Sequence, residues 1–289
     1  MLNEIKWATR QRLQFIEVMA YYTGVVTRSD VARAFAISDA AATKDLKYYG
    51  DIAPGNLNYK HSVFGFVPTA DFSAVFADLS PTTVLPMLEA NLTVVGSPDP
   101  DEPVFGVASE NLVLPNRLPG QEVLSQITRA IHGSNRLKVS YHSLSENSNI
   151  ERIIEPHALV NTGFRWHVRA YNEDSFDFRD FVLSRFVEAT CLEEAAESSA
   201  RYDEDWIEFV VLKLGPHPAL SQKQKASLLI DYKAEKEIIE IRIRRALIGY
   251  LLRQLSVDTS ADHSRDPIQY QLVVLNRDEI EPFASWAFN

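Results

Sequence analysis

Four short segments between residues 136 and 186 constrain the fold of this chain more than any other stretch. Apolar and polar residues alternate along segments 137–143, 165–171 and 178–186, and a fourth segment, 151–160, lies between the first two. Polar turn residues separate the segments at 145–149, 162–163 and 172–175. Alternation with a period of two, bounded by turns, indicates β-strands with one buried face. The sequence therefore predicts a small antiparallel sheet or barrel in the middle of the chain.

The polar positions of these predicted strands are rich in arginine and histidine, whereas the acidic residues fall in or beside the turns. An arginine inside a strand needs an anionic partner or water, because a charge removed from water without one is costly. We interpret this basic β-unit in the middle of an acidic chain as a sensor module, and the sequence does not name its signal.

Length and composition bound the rest of the chain. Its 289 residues predict two or three domains. We expect no membrane partner, because no run of about 18 apolar residues occurs. The N-terminus lacks the apolar stretch of a secretion signal, so the expected location is the cytoplasm. The single cysteine, Cys191, excludes an intramolecular disulfide and a zinc site built on cysteines.

Charge is distributed unevenly along the sequence. The chain carries a formal charge of −10, yet residues 1–60 contain eight Lys/Arg and six Asp/Glu. A slightly basic head followed by an acidic remainder is compatible with nucleic-acid binding by the head alone.

The head has the pattern of a winged helix-turn-helix. Amphipathic or capped segments predict helices over 5–22, 30–35 and 39–49, with a tight turn before the third. Strand-like runs at 57–60 and 63–67 then predict the wing. In such a domain the third helix enters the major groove of DNA.

The predicted DNA contacts lie on the third helix, the wing and the flanks. Lysines on the helix can reach phosphates or guanine edges. The residues are Ser38, Asp39, Ala41, Thr43, Lys44 and Lys47 on the helix, Asn58, Tyr59, Lys60 and His61 on the wing, and Arg10, Arg12 and Arg28 on the flanks. The alternative is a helical domain that binds protein and keeps its lysines solvated.

Two further regions flank the predicted sheet. An apolar stripe predicts a helix over 71–79, and a serine cap followed by proline predicts another over 80–92. The proline-rich acidic loop 96–103 marks a domain boundary and opens a linker over 96–119. A helix is predicted over 121–132.

The last third of the chain predicts a small α+β unit of order βαβαβ. Its strands are predicted at 208–215, 237–244 and 270–275, its helices at 221–232 and 246–255, and a final helical turn at 280–288.

Four motifs in the middle of the chain carry a family resemblance. They are Tyr141-His142, Arg152 with Pro156-His157, Trp166-His167-Val168, and Arg179 with Arg185. In this order they resemble the WYL domain of bacterial transcription regulators, an Sm-like, SH3-type β-barrel. Residues 166–168 depart from the family's Trp-Tyr-Leu triplet in their second and third letters. We expect Trp166 to lie in the core.

The resemblance implies an anionic ligand, a nucleotide or nucleic acid, in a basic pocket of this domain. Carried over to this chain, the ligand-binding residues would be Tyr141, His142, Arg152, His167, Arg169, Arg179 and Arg185. The alternative is that several of them pair with Glu151, Asp180 or Glu188 and only stabilise the barrel.

The order of the three parts resembles the BrxR/CapW group of WYL regulators. The implied fold is an α+β multidomain protein: a winged helix-turn-helix over 1–95, a WYL barrel over 120–195 and a C-terminal dimerisation domain over 203–289. The resemblance implies a homodimeric repressor of a phage-defence operon that binds double-stranded DNA with an inverted repeat. An activator of the same architecture, or an adaptor whose head binds protein, remains open.

An enzyme is not indicated. The chain lacks a phosphate-binding loop, a dinucleotide-binding glycine motif and the common hydrolase motifs. His217 and His263 are not paired with a nucleophile, and the carboxylates of Asp99, Asp101 and Glu102 are expected to be solvated. We therefore predict no catalytic residues, no cofactor and no metal.

Overall fold

A computed structural model of the chain describes residues 5–89, 103–110, 112, 114–144, 149–234 and 236–288, with only the backbone of 149–150. The chain forms two compact units, Met1–Val113 and Leu114–Asn289. Most of the predicted loop 96–103 and of the predicted turn 145–149 lies outside the described residues. Among those that are described, no helix is long and apolar enough to cross a membrane.

The first unit contains the predicted three helices and wing. Its elements are α1 (Trp7–Thr23), α2 (Arg28–Phe35), α3 (Asp39–Ile52), the antiparallel hairpin of β1 (Leu57–Lys60) and β2 (Gly65–Pro68), and α4 (Pro81–Glu89). A bridge between Val26 and Phe66 ties the hairpin to the segment between α1 and α2. The helix-turn-helix elements and the wing are therefore confirmed.

Local sequence sets the ends of these helices. Gly24 ends α1 with a φ of 79°, a left-handed conformation that favours glycine. Thr27 and Asp30 form a capping box at the start of α2, and the Ser38 hydroxyl accepts a hydrogen bond from the Ala41 amide at the start of α3. These side-chain caps thus fix where α2 and α3 begin.

A buried carboxylate connects the elements of this unit. Glu17 on α1 is fully buried and accepts hydrogen bonds from the amides of Val75, Phe76 and Ala77 at 2.7–2.8 Å. It also accepts one from the hydroxyl of Tyr49 on α3 at 3.0 Å. Charge-assisted hydrogen bonds of this kind satisfy the buried charge.

The predicted helix over 71–79 is wrong. These residues form turns and irregular backbone. Because the Glu17 carboxylate takes three consecutive amides of the segment, their hydrogen bonds are satisfied outside any helix. The following helix does start at Pro81, as predicted, and its described part ends at Glu89.

The second unit begins with a helix packed on a five-stranded sheet. The elements are α5 (Gln121–Gly133), β3 (Asn135–His142), β4 (Asn149–Asn161), β5 (Trp166–Asn172), β6 (Asp177–Val182) and β7 (Phe186–Ala195). The strands are antiparallel in the order β6-β5-β4-β3-β7. No ladder joins β6 to β7 within the described residues, so the closed Sm/SH3-like barrel stays a prediction.

The unit ends with a second sheet and its own apolar core. The elements are α6 (Glu204–Ile207), β8 (Phe209–Pro216), α7 (Gln222–Asp231), β9 (Ile239–Arg244), α8 (Ile248–Gln254), β10 (Val257–Asp258), β11 (Leu272–Val274) and α9 (Arg277–Ala284). The strand order is β10-β11-β8-β9, and only the pair β10-β11 is parallel. The predicted α+β class is confirmed, although α6 and β10 were not predicted.

The C-terminal part covers one face of β5. His167 and Arg169 on this face are only 1% and 6% exposed, whereas Trp166 is 38% exposed. The prediction that Trp166 lies in the core is therefore wrong. The reason is that β5 is covered on both faces along most of its length, while Trp166 is its first residue.

Candidate functional site

The first candidate site is the outer face of α3. Ala42, Leu46 and Tyr49 face the core of the first unit. The opposite face is exposed and polar. It carries the predicted residues Ser38, Asp39, Thr43, Lys44 and Lys47, while Ala41 is half-buried. This face can therefore approach a partner without disturbing the core.

A groove of about 760 Å³ runs beside this face. It is bounded by the start of α2, by α3 and by the hairpin. The lining residues are Thr27, Arg28, Ser29, Thr43, Leu46, Lys47, Gly50, Tyr59, Phe64 and Phe66. The structure thus brings together the predicted residues Arg28, Thr43, Lys47 and Tyr59. Phe64 was not predicted.

The wing presents the other predicted residues to solvent. Asn58, Tyr59, Lys60 and His61 are all exposed. The Tyr59 ring contacts His61 and Phe66, with ring centroids 5.0 and 5.2 Å away. These contacts order the exposed aromatic side of the hairpin.

The flanking arginines differ from one another. Arg10 is exposed, and Arg28 forms an exposed pair with Asp39 at 3.4 Å. Arg12 instead donates two hydrogen bonds to the Asp45 carboxylate, at 2.6 and 3.2 Å, and both side chains are largely buried. The structure therefore gives Arg12 a role in joining α1 to α3, and we no longer propose it as a DNA contact.

The seven predicted ligand residues do not converge on one pocket. Residues directly opposite one another in an antiparallel ladder project from the same face. Arg152 lies opposite Val139, and Arg179 opposite Ala170, so both are on the face that packs against α5. His167 and Arg169 alternate with Val168 and Ala170 along β5 and project from the other face.

Tyr141, His142 and Arg179 have surroundings that differ from one another. Tyr141 is in the core, where its hydroxyl accepts a hydrogen bond from the Val182 amide, and His142 is exposed at the end of β3. Arg179 is exposed and donates to Asp177 at 2.8 Å. Val182 lies opposite His167 in the ladder of β5 and β6, so Tyr141 is the one of these three residues that reaches the strand segment of His167.

Arg169 belongs to a buried ionic network. It donates to both oxygens of Asp203 at 2.7 and 2.8 Å and lies 3.5 Å from Asp180. His157 is 3.0 Å from the same Asp203 carboxylate. Burial alone would raise the pKa of Asp203, but the hydrogen bonds of Arg169 and His157 lower it to about 2. The network thus favours the alternative of structural pairing for Arg169.

The second candidate site is a cationic cluster, which we define as Arg117, Arg165 and Arg185 around His167. The Arg165 Nε–H donates to His167 Nε2 at 3.1 Å, so this ring is a neutral imidazole with its proton on Nδ1. Burial, together with the charges of the three arginines, lowers the pKa of His167 to about 4. The buried Nδ1 has no hydrogen-bond partner among the described residues.

The cationic cluster is not neutralised. Burial and the charges of Arg117 and Arg185 lower the pKa of Arg165. Within the described part of the chain, no carboxylate pairs with any of the three arginines. Cations that repel one another beside an N–H donor without a hydrogen-bond partner form a site that favours an anion.

The cluster adjoins a helix of the C-terminal part. The ring of Tyr250 on α8 lies 4.8 Å from the His167 ring, and its hydroxyl donates to Asp180 at 3.1 Å. No sequence pattern pointed to Arg117 or Tyr250 as part of this site, because both come from segments outside the predicted strands. Arg165 directly precedes Trp166 of the family motif, so it could have been included among the predicted ligand-binding residues.

Three family models match the chain in sequence order. The winged helix-turn-helix domain of the BrxR transcriptional regulator matches residues 8–90, and the WYL domain matches residues 122–191. The C-terminal dimerization domain of the BrxR transcriptional regulator matches residues 209–280.

Relatives match this chain over nearly all of its length. The DNA-binding transcriptional repressor CapW of Pseudomonas aeruginosa is 34% identical over 281 residues, which are 96% of this chain and 92% of that protein. This chain belongs to the CapW family. The CapW repressor of Stenotrophomonas maltophilia is 31% identical over 96% of this chain and 93% of its own length. That of Escherichia coli (strain KTE188) is 34% identical over 95% and 91%.

Among solved structures, the chain aligns with Proteasome accessory factor B/C (PafBC) of Arthrobacter aurescens. The alignment has a TM-score of 0.26 and 17% sequence identity, and it covers 97% of this chain. The chain spans about half of the length of that protein, 48%.

Proposed function

We propose that this member of the CapW family is a homodimeric, sequence-specific transcriptional repressor. The observation that carries the proposal is the exposed polar face of α3 with Lys44 and Lys47, set beside a groove that the wing and the start of α2 also line. A helix with this exposure can enter the major groove of double-stranded DNA, and lysines there neutralise phosphates.

We assign one proposed role to each domain, in the order of the domains along the chain. Residues 1–95 read DNA, residues 120–195 sense a ligand and residues 203–289 form the dimer. A two-fold dimer reads an inverted repeat, with half-sites about 34 Å or a multiple of it apart. By its resemblance to the BrxR/CapW group, the chain would control a phage-defence operon in the bacterial cytoplasm. It acts by binding and not as an enzyme.

An anionic ligand would release the repressor. The cationic cluster supports this part of the proposal, because three arginine charges act on an imidazole whose Nδ1–H has no hydrogen-bond partner among the described residues. The ligand class is a phosphate-bearing nucleotide or nucleic acid. To change the protein from mostly bound to mostly released, the ligand must favour the released form by about 5 kcal/mol.

The proposed DNA binding is tested with a duplex that the full-length protein selects in vitro from a random library. Lys47→Ala should weaken binding and reduce the slope of log affinity against log salt by about one, because one phosphate contact is lost. Lys223→Ala, which removes an exposed lysine of α7, is the matched control and should leave the slope unchanged. An unchanged slope for Lys47→Ala would contradict the contact, and a selected duplex without two-fold symmetry would contradict the dimer.

The sensor half is tested with two probes, a short single-stranded oligonucleotide and ATP. Arg185→Ala should retain duplex binding and lose its release by the effective probe. Arg129→Ala, which removes an exposed arginine of α5, should respond like the wild type. Release of Arg185→Ala at wild-type probe concentrations would refute the site. Reporter expression with and without the gene distinguishes repression from activation.

A further inference from the structure

The tip of the wing exposes a large apolar side chain. Phe64 is 79% exposed and lies between β1 and β2, directly before Gly65. Its φ of 49° is left-handed, which is unusual for a bulky residue. The sequence therefore places a phenylalanine where both the backbone conformation and the solvent exposure disfavour one, a combination that concentrates at functional positions.

The hairpin cannot fold back to cover this ring. Val26 and Phe66 exchange two backbone hydrogen bonds at 2.8 and 2.9 Å, which fix the base of β2 against the segment before α2. A Cβ atom at Gly65 would lie 2.7 Å from the Val25 Cγ2 atom, so β2 already packs closely against the segment before α2. Phe64 is consequently held away from the core by rigid backbone.

The ring lies beside the residues that are predicted to contact DNA. Phe64 lines the same groove as Lys47 of α3 and Arg28 of α2, two of the cations predicted to contact DNA. Asn58 and Lys60 are exposed on the neighbouring strand of the wing. Proteins that bind the minor groove combine Asn and Lys side chains with an apolar wedge, often Phe, that unstacks a base step.

We propose that Phe64 is the apolar wedge of the wing and inserts at a base step in the minor groove next to the site read by α3. This inference rests on the proposed DNA binding and adds a residue that selects operators by their deformability. Pyrimidine–purine steps unstack more easily than others, so such a step is expected under the wing.

The test uses Phe64→Gly and Phe64→Asn in the full-length protein, because both residues tolerate a left-handed backbone. Affinity for the in vitro selected duplex should fall about tenfold, as expected for one lost base-level contact. The salt slope should not change, because no charge is removed. Affinity for a duplex of random sequence should fall less than twofold (about the assay error), because phosphate contacts dominate non-specific binding.

Phe176→Gly is a closely matched control. Phe176 is also 79% exposed and has a φ of 55°, but it lies in the turn between β5 and β6 of the second unit. This variant should bind both duplexes like the wild type. Duplexes labelled at both ends for energy transfer should show a smaller bend with Phe64→Gly than with the wild type or Phe176→Gly.

Three results would overturn the assignment. One is wild-type affinity of both Phe64 variants for the selected duplex, and another is an equal loss of affinity on both duplexes. The third is a sedimentation coefficient of the Phe64 variants that differs from that of the wild type, because this would place Phe64 at a contact between protein molecules. If the wild type itself selects no duplex from the library, the proposed function fails before this inference is reached.

Discussion

The buried imidazole of His167 should make the second unit sensitive to mild acid. Its pKa is lowered from 6.5 to about 4 by burial and by three arginine charges. The difference corresponds to about 3 kcal/mol, at about 1.4 kcal/mol for each pH unit. Because the side chain is only 1% exposed, solvent screens little of this effect.

The sign follows from proton binding. Above pH 6.5 the imidazole is neutral in both the folded and the unfolded chain, so it contributes no pH dependence. Between pH 6.5 and about 4 the unfolded chain binds a proton that folded His167 does not bind. The free energy of unfolding therefore falls as the pH falls through this window, and the fall ends below pH 4.

His167→Gln removes this titration and leaves an oxygen that can accept from Arg165. Urea unfolding at several pH values between about 7 and 4, followed by tryptophan emission, measures the effect. Three of the four tryptophans, Trp166, Trp206 and Trp286, belong to the second unit, so the emission reports mainly on that unit.

The wild type should lose about 3 kcal/mol more stability than His167→Gln across the window. His132→Gln, which changes an exposed histidine of α5, should follow the wild type. Parallel curves for the wild type and His167→Gln would refute the lowered pKa. A saturating anionic probe should reduce the pH dependence of the wild type, because an anion beside the arginines favours the protonated ring.

Three further substitutions test single contacts. Glu17→Gln should lower the free energy of unfolding of the first unit by about 3 kcal/mol, because the amide group would face buried N–H donors. Urea unfolding measures this, and a loss below about 1 kcal/mol would contradict it. Gly65→Ala should weaken duplex binding in a mobility-shift assay without lowering helicity, because its Cβ would meet Val25 at 2.7 Å; wild-type binding would show that the wing tolerates the shift. Tyr250→Phe should cost about 1–2 kcal/mol in urea unfolding through the lost hydrogen bond to Asp180, and unchanged stability would speak against that bond.

Local patterns predicted most of the secondary structure. The helices α1, α2 and α3 follow from apolar spacing and from caps a few residues away, and the strands of the central sheet follow from alternation. Segment 71–79 has an apolar stripe of the same kind but is not helical. Its amide partner, Glu17, lies about 60 residues earlier in the chain, which no local pattern can reveal.

The candidate sites were predictable to different extents. On α3 all of the predicted residues except the half-buried Ala41 are exposed, because one helix face suffices to position them. In the central sheet, alternation identified which residues share a strand face but not what covers that face. Arg169 is neutralised by Asp203, and His167 is buried beneath Tyr250, because the chain returns over β5 after leaving the sheet.

The pair between Arg12 and Asp45 has a consequence for how such a regulator can diverge. It anchors α3 from the inner side, through side chains that are largely buried. The residues on the outer side, such as Asp39 and Lys44, make no contribution to the apolar core. Under the proposed DNA binding by α3, substitutions there would change which operator is preferred while the helix keeps its orientation. A few surface changes, each nearly neutral for folding, would then suffice to give such a protein a different set of operators.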